Sequence, residues 1–188
     1  MNVADVLRRI TAALDNAKIE YMLTGSFASA YHGAPRSTQD IDFVIQATPE
    51  QLEVLVQFLP ENQYYVDLTT ALESRQRESM FNVVDLETGW KVDFVFRKSR
   101  PFSKEEFGRR RRVILHGISI FVASAEDVIV AKLEWSRLAK SLRQIEDVAA
   151  LLRVRFDALD HGYVEKWIEQ LDLSKQWEEA QEVAGLKS

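Results

Sequence analysis

The sequence contains no cysteine. Disulfides, zinc–thiolate sites, iron–sulfur clusters and thiol nucleophiles are therefore excluded. Three histidines make an all-protein zinc site a poor expectation. Seven glycines and four prolines are too few for a low-complexity or collagen-like chain. No run of about 18 apolar residues occurs, so a membrane span is not expected. The opening stretch, MNVADVLRRITAAL, carries Asp5 and two arginines inside an amphipathic pattern. It reads as a helix and not as a signal peptide, and a cytoplasmic protein is the expectation. What remains is ordinary globular material, with 46% hydrophobic and 28% charged residues. A length of 188 residues fits one domain, or one domain with a small helical extension.

The formal net charge of −5 hides an asymmetry. Arg97, Lys98, Arg100, Lys104 and Arg109 to Arg112 face only Glu105 and Glu106 within the same stretch. Between Asp157 and Glu182 eight acidic residues face only Lys166 and Lys175. A basic stretch in an acidic protein suits an RNA backbone or a polyphosphate. It equally suits a solvated face.

Apolar spacing predicts a helix from Asp5 to Ala17 and a short strand at Tyr21–Leu23. A helix from Phe27 to His32 is stopped by Gly33-Ala34-Pro35. Asp40–Ile45 reads as a strand. Thr48-Pro49-Glu50-Gln51 reads as a capping box with proline at the first helical position. Met80–Leu86 and Lys91–Phe96 are β-type runs joined as a hairpin, and Gly117–Val122 is a further strand. From the cap at Ser124 to about Val154, and over most of Val164 to Val183, the pattern is helical. The expected fold is α+β, a core with a mixed sheet followed by a helical C-terminal part. The expected division is a core over 1–123 and a helical extension over 124–188 packed on it.

Chemistry concentrates between Tyr21 and Ile45. Gly25-Ser26 lies between a strand and a helix, where backbone N–H groups and a close approach suit phosphate. Arg36, Ser37 and Thr38 add a forked cation and two hydroxyls. Asp40 and Asp42, two apart on a strand, point to one face, while Ile41 and Phe43 point to the other. Neighbouring carboxylates repel unless a cation lies between them, and hard oxygen ligands suit Mg²⁺. Asp93 interrupts an otherwise apolar strand, sharing its face with Lys91 and Val95. Three carboxylates on adjacent strands would hold two Mg²⁺ ions about 3.5–4 Å apart for in-line phosphoryl chemistry. Singly, the Gly25-Ser26 turn and the Asp40/Asp42 alternation are commonplace; their combination with Asp93 carries the reading.

That combination resembles the signature of the DNA polymerase beta-like nucleotidyltransferase superfamily. Gly25-Ser26 is followed after thirteen residues by Asp40-Ile41-Asp42, with Asp93 on a later strand. A subgroup, the AbiEii-type toxin nucleotidyltransferases and related small bacterial proteins, is closer still. It is matched by Thr24-Gly25-Ser26-Phe27-Ala28, His32-Gly33, Arg36, Thr38 and Asp40-Ile41-Asp42, and by Ser124, Glu126, Asp127, Ile129, Lys132 and Leu133. A following helix motif is loosely met by Arg143, Glu146 and Asp147. The resemblance implies that Asp40, Asp42 and Asp93 ligate two Mg²⁺ ions, or Mn²⁺, and that Asp93 helps deprotonate the acceptor. It implies that Gly25 and Ser26 hold the nucleotide's phosphates, with Arg36, Thr38 and Lys132 as further nucleotide-binding residues. The reaction implied is transfer of a nucleoside monophosphate from an NTP to a hydroxyl of an RNA end, a protein or a small molecule. RNA would be met through Arg109–Arg112. A toxin–antitoxin role, with an antitoxin partner, belongs to the same resemblance, while aromatic residues in the helical tail suit a homodimer.

A second reading is a non-catalytic protein of the same fold that binds nucleotide, RNA or a partner. A two-metal phosphohydrolase is a third, with no His–Asp cluster to support it. His32 before Gly33 reads as structural, and Trp135, Trp167 and Trp177 as packing residues.

Overall fold

A computed structural model describes residues 3–186 of the chain. They form two compact units. The first takes the chain up to Ser26 together with Ser37–Val122, and the second takes Phe27–Arg36 together with the chain from Ala123 onward.

The first unit opens with helix α1 (Val3–Asn16), which buries Val6, Leu7, Ile10 and Leu14 along one stripe. Strand β1 (Glu20–Thr24) runs into helix α2 (Gly25–Tyr31), whose later residues belong to the second unit. Strand β2 (Asp40–Gln46), helix α3 (Pro49–Gln57), the two-residue strand β3 (Tyr64–Tyr65) and helix α4 (Leu68–Gln76) follow. Strands β4 (Met80–Asp85) and β5 (Lys91–Phe96), helix α5 (Pro101–Gly108), and strands β6 (Arg111–Leu115) and β7 (Ile118–Val122) complete it. The seven strands make one mixed sheet in the order β3-β4-β5-β2-β1-β7-β6. β2 is antiparallel to β1 and parallel to β5, and β1 is parallel to β7.

One sheet face is apolar across four strands. Tyr21, Leu23, Ile41, Phe43, Ile45, Val92, Phe94, Phe96, Phe81 and Val83 are buried on it. Phe43 stacks on Phe94 at 5.9 Å, Phe81 meets Phe94 at 5.2 Å, and Tyr21 sets its edge on Phe43 at 5.7 Å. Such pairs each add roughly 0.5–1.5 kcal/mol beyond their burial. They also fix register, because a one-residue slip would drive Asp42 and Asp93 into this aromatic layer.

The capping box at α3 is present: Thr48 Oγ1 accepts from Gln51 N at 3.3 Å and Gln51 Oε1 accepts from Thr48 N at 2.9 Å. The hairpin of β4 and β5 is present too, with β4 ending at Asp85. Four elements were not foreseen. β3 is too short to show alternation. In α4 the apolar and polar residues mix around the helix, and only Ala71 and Ser74 are buried. α5 begins at Pro101 with no side-chain cap. β6 is masked by its arginines.

The second unit is helical. After α2 come α6 (Ala125–Ala139), α7 (Leu142–Arg155), a 3₁₀ turn at Phe156–Ala158, α8 (His161–Gln170) and α9 (Ser174–Ala184). The helix expected to run from Ser124 to about Val154 is two helices. Lys140 turns left-handed at φ +50° and its N–H caps Ser136 O, with no glycine or proline to announce the break. Val128, Leu133, Ile145, Val148, Leu152, Val164, Trp167 and Leu173 fill this unit's core. His32 bonds Ala123 O through Nε2 at 2.8 Å, a structural contact within this unit. Trp167 and Trp177 are buried, whereas Trp135 is half exposed. No helix among the described residues is long and apolar enough to cross a membrane.

Candidate active site

The face of the sheet opposite the aromatic layer carries the polar residues. Register sets Thr24 beside Asp42, Asp42 beside Asp93, and Asp93 beside Asn82. A row of four polar side chains thus crosses β1, β2, β5 and β4. One step along the same face, Asp40 pairs in register with Lys91. Asp93 is buried, Asp42 is partly buried, and Asp40 lies exposed at the start of β2.

Gly25 joins β1 to α2 at φ +61°, a conformation that costs side-chain-bearing residues dearly. A Cβ at this position would overlap Asp42 Oδ2 and lie 2.7 Å from Asp42 Cγ. The glycine therefore lets the backbone run directly against a carboxylate, where any side chain would collide with it. Ser26, next in the chain, is buried. Thr38 Oγ1 accepts from Asp40 N at 3.1 Å, which ties this hydroxyl to the start of β2.

Lys91 extends its ammonium among the carboxylates. Its Nζ lies 3.0 Å from Asp93 Oδ2 and 3.7 Å from Asp40 Oδ1. Burial opposes its charge, but the hydrogen bond to Asp93 and the charges of Asp93, Asp40 and Asp42 outweigh that and hold its pKa above the usual lysine value. Asp93 Oδ1 accepts from Asn82 Nδ2, so both oxygens of Asp93 are engaged.

Arg36 and Lys132 lie in the second unit, and both meet Asp147. Arg36 Nε donates to Asp147 Oδ2 at 3.0 Å and Lys132 Nζ donates to the same oxygen at 2.6 Å. Lys132 Nζ also donates to Gln144 Oε1 at 3.2 Å. Lys132 is only 5% exposed, far from the solvated lysine its helix position also allowed. The structure thus brings Gly25, Asp40, Asp42 and Asp93 together in the first unit, and Arg36 and Lys132 together in the second.

The arginine run divides by role. Arg110 lies over the rings of Phe107 at 4.2 Å and Phe121 at 5.2 Å, donates to Phe107 O at 2.6 Å and pairs with Glu20 at 2.8 Å. It is a staple inside the fold. Arg111 and Arg112 are exposed on β6, an edge strand of the sheet.

Sequence reasoning missed three residues. The alternation sets Lys91 on the face of Asp93, but its contact with Asp40 follows only from strand register. Asn82 shows no signal of its own. Asp147 shows in the sequence only as a loose helix-motif match, and it is the shared partner of two cations.

Asp40, Asp42 and Asp93 offer hard oxygen donors on one face, so their chemistry fits Mg²⁺ or Mn²⁺. Among the described residues no three acidic, histidine or cysteine side chains converge tightly enough to cage an ion. The Lys91 ammonium is what lies between Asp40 and Asp93.

Comparison with solved structures returns the same fold. The antibiotic-resistance factor ANT(2'')-Ia, in its solution structure, aligns with a TM-score of 0.61 and 15% identity over 97% of this chain and 98% of that one. A crystal structure of ANT(2'')-Ia with adenylyl-2''-tobramycin aligns with a TM-score of 0.57 and 14% identity over 92% of this chain and 97% of that one. TM1012 from Thermotoga maritima aligns with a TM-score of 0.50 and 22% identity over 76% of this chain and 91% of that one. No curated protein sequence matches the chain. A family model described as nucleotidyltransferase of unknown function (DUF6036) matches residues 2–184. With that match spanning nearly every residue, the chain belongs to this nucleotidyltransferase family.

Proposed function

We propose that the chain is a divalent-metal-dependent nucleotidyltransferase that moves a nucleoside monophosphate from an NTP to a hydroxyl acceptor. The observation that carries this reading is the register of β2 against β5. It sets Asp42 beside Asp93, with Asp40 on the same face and Gly25 packed against Asp42. Asp40, Asp42 and Asp93 would hold Mg²⁺ or Mn²⁺, two ions in all, which would neutralise phosphate charge and polarise the reacting phosphorus. The acceptor oxygen attacks the α-phosphorus, the α–β anhydride bond breaks, and pyrophosphate leaves with the bonding electrons. Asp93 helps to deprotonate the acceptor once Lys91 has released Oδ2. The backbone at Gly25-Ser26 bears the leaving phosphates. For Arg36, Thr38 and Lys132 a role on the nucleotide rests on the family motif alone. Catalysis of this kind is chiefly positioning and charge stabilisation.

Two classes of acceptor have support. The AbiEii-type motif favours RNA ends or protein hydroxyls and a toxin role. The likeness in fold to ANT(2'')-Ia, seen with adenylyl-2''-tobramycin, favours a small polyhydroxylated acceptor. Arg111 and Arg112, exposed on β6, suit the first; Arg110 is already engaged.

The test is calorimetric titration of each NTP with Mg²⁺ into the native chain and into Asp40→Ala/Asp42→Ala, followed by transfer of α-labelled NTP to each acceptor class. Metal-dependent binding lost in the double variant, with transfer reduced by about 10² or more, is the expected result. A native chain that binds no NTP would leave a non-catalytic partner-binding module in place of an enzyme.

A further inference from the structure

Three carboxylates on one small patch of sheet need positive charge beside them. The charge present belongs to the chain itself. The backbone of Lys91 lies directly opposite Asp40 in the parallel register, two residues before Asp93 on the same strand face. Its ammonium is thereby delivered to a point 3.0 Å from Asp93 and 3.7 Å from Asp40. Asp93 Oδ2 serves Lys91 and Asp93 Oδ1 serves Asn82.

A magnesium ion draws its oxygens in to about 2.0–2.1 Å. It cannot do so on Asp93 Oδ2 while an ammonium stays bonded to that oxygen, because two cations so close repel. We propose that Lys91 is a built-in counter-ion that competes with divalent metal for Asp93 and Asp40, so that the site loads only as Lys91 releases these oxygens. The inference rests on the metal-dependent reading above and extends it to the order of loading. Metal alone faces the full competition. Metal arriving with a nucleotide brings triphosphate oxygens, anionic partners to which the displaced ammonium can turn. The site is therefore built to favour the metal–nucleotide complex over the free ion.

The experiment is titration of Mn²⁺ alone, without nucleotide, into the native chain and into Lys91→Met, with circular dichroism to establish that both are folded. The variant should bind Mn²⁺ about tenfold more tightly or better. Equal or weaker binding by the variant overturns the counter-ion role and leaves the metal site standing. Binding by neither chain overturns both this role and the metal-dependent reading. A second measurement needs no neutral variant. Reductive ¹³C-methylation keeps lysine charged, and the Lys91 resonance is identified by its loss in Lys91→Arg. That resonance should move when Mg²⁺ is added to the native chain; a resonance unmoved at saturating Mg²⁺ overturns the proposal.

Discussion

Gly25 governs where Asp42 can stand. Alanine at this position would carry its methyl group into the Asp42 carboxylate, in a left-handed conformation that itself costs roughly 1–2 kcal/mol. Gly25→Ala should weaken metal-dependent NTP binding by about tenfold or more, because Asp42 must move. Calorimetry on the folded variant reads this, and unchanged affinity would show that Asp42 does not serve the nucleotide. The sequence displayed both of these residues through their spacing. It displayed Asp93 as a charge out of place in an apolar strand. It withheld the ion pair between Lys91 and Asp40, since partners on different strands are decided by register. No local pattern encodes that register; the packing of Phe43, Phe94 and Phe81 does.

Among elements, α6 shows how a buried charge is made safe. Ser124 caps the helix by accepting from Asp127 N at 3.2 Å, and its hydroxyl donates to Asp127 Oδ2 at 2.7 Å. From α8, Tyr163 Oη donates to Asp127 Oδ1 at 2.6 Å. Asp127 is fully buried, so its charge depends on these partners. Tyr163→Phe should therefore lower stability by about 1–3 kcal/mol, read as a lower denaturation midpoint with an unchanged slope. An unchanged midpoint would mean that the phenol contributes nothing to Asp127. The cap at Ser124 was legible because serine, acid and an apolar run follow one another. The break at Lys140 was not, because a left-handed lysine has no signature in sequence. Nor was α4, whose residues Leu68–Gln76 present no continuous apolar stripe. β6 hid for a related reason: Arg111 and Arg112 are adjacent and both exposed, so alternation starts only at Val113.

At the scale of the molecule, ligand binding and stability are one equilibrium. Metal that binds the folded chain and not the unfolded one should raise stability by about 2.7 kcal/mol at a hundred times its dissociation constant. Thermal melts with and without Mn²⁺ measure this. The shift should be present in the native chain and absent in Asp42→Ala. A shift of equal size in both would place the ion elsewhere. The edges of the sheet are guarded in two ways. β3 is two residues long, and β6 carries charge, so neither invites pairing with another chain's strand.

The polar row from Thr24 through Asp42 and Asp93 to Asn82 also has a consequence in time. Its members are scattered over some seventy positions of chain and meet only when β2 lies beside β5. Pairings of such wide separation are slow to form, because the intervening chain must first be closed into a loop. A nascent chain that has emerged only as far as β4 holds Asp40 and Asp42 without Asp93 or Lys91. It has neither the full set of carboxylates nor the ammonium beside them. Lys91 precedes Asp93 by two residues, so the buried carboxylate never leaves the ribosome without the ammonium that pairs with it.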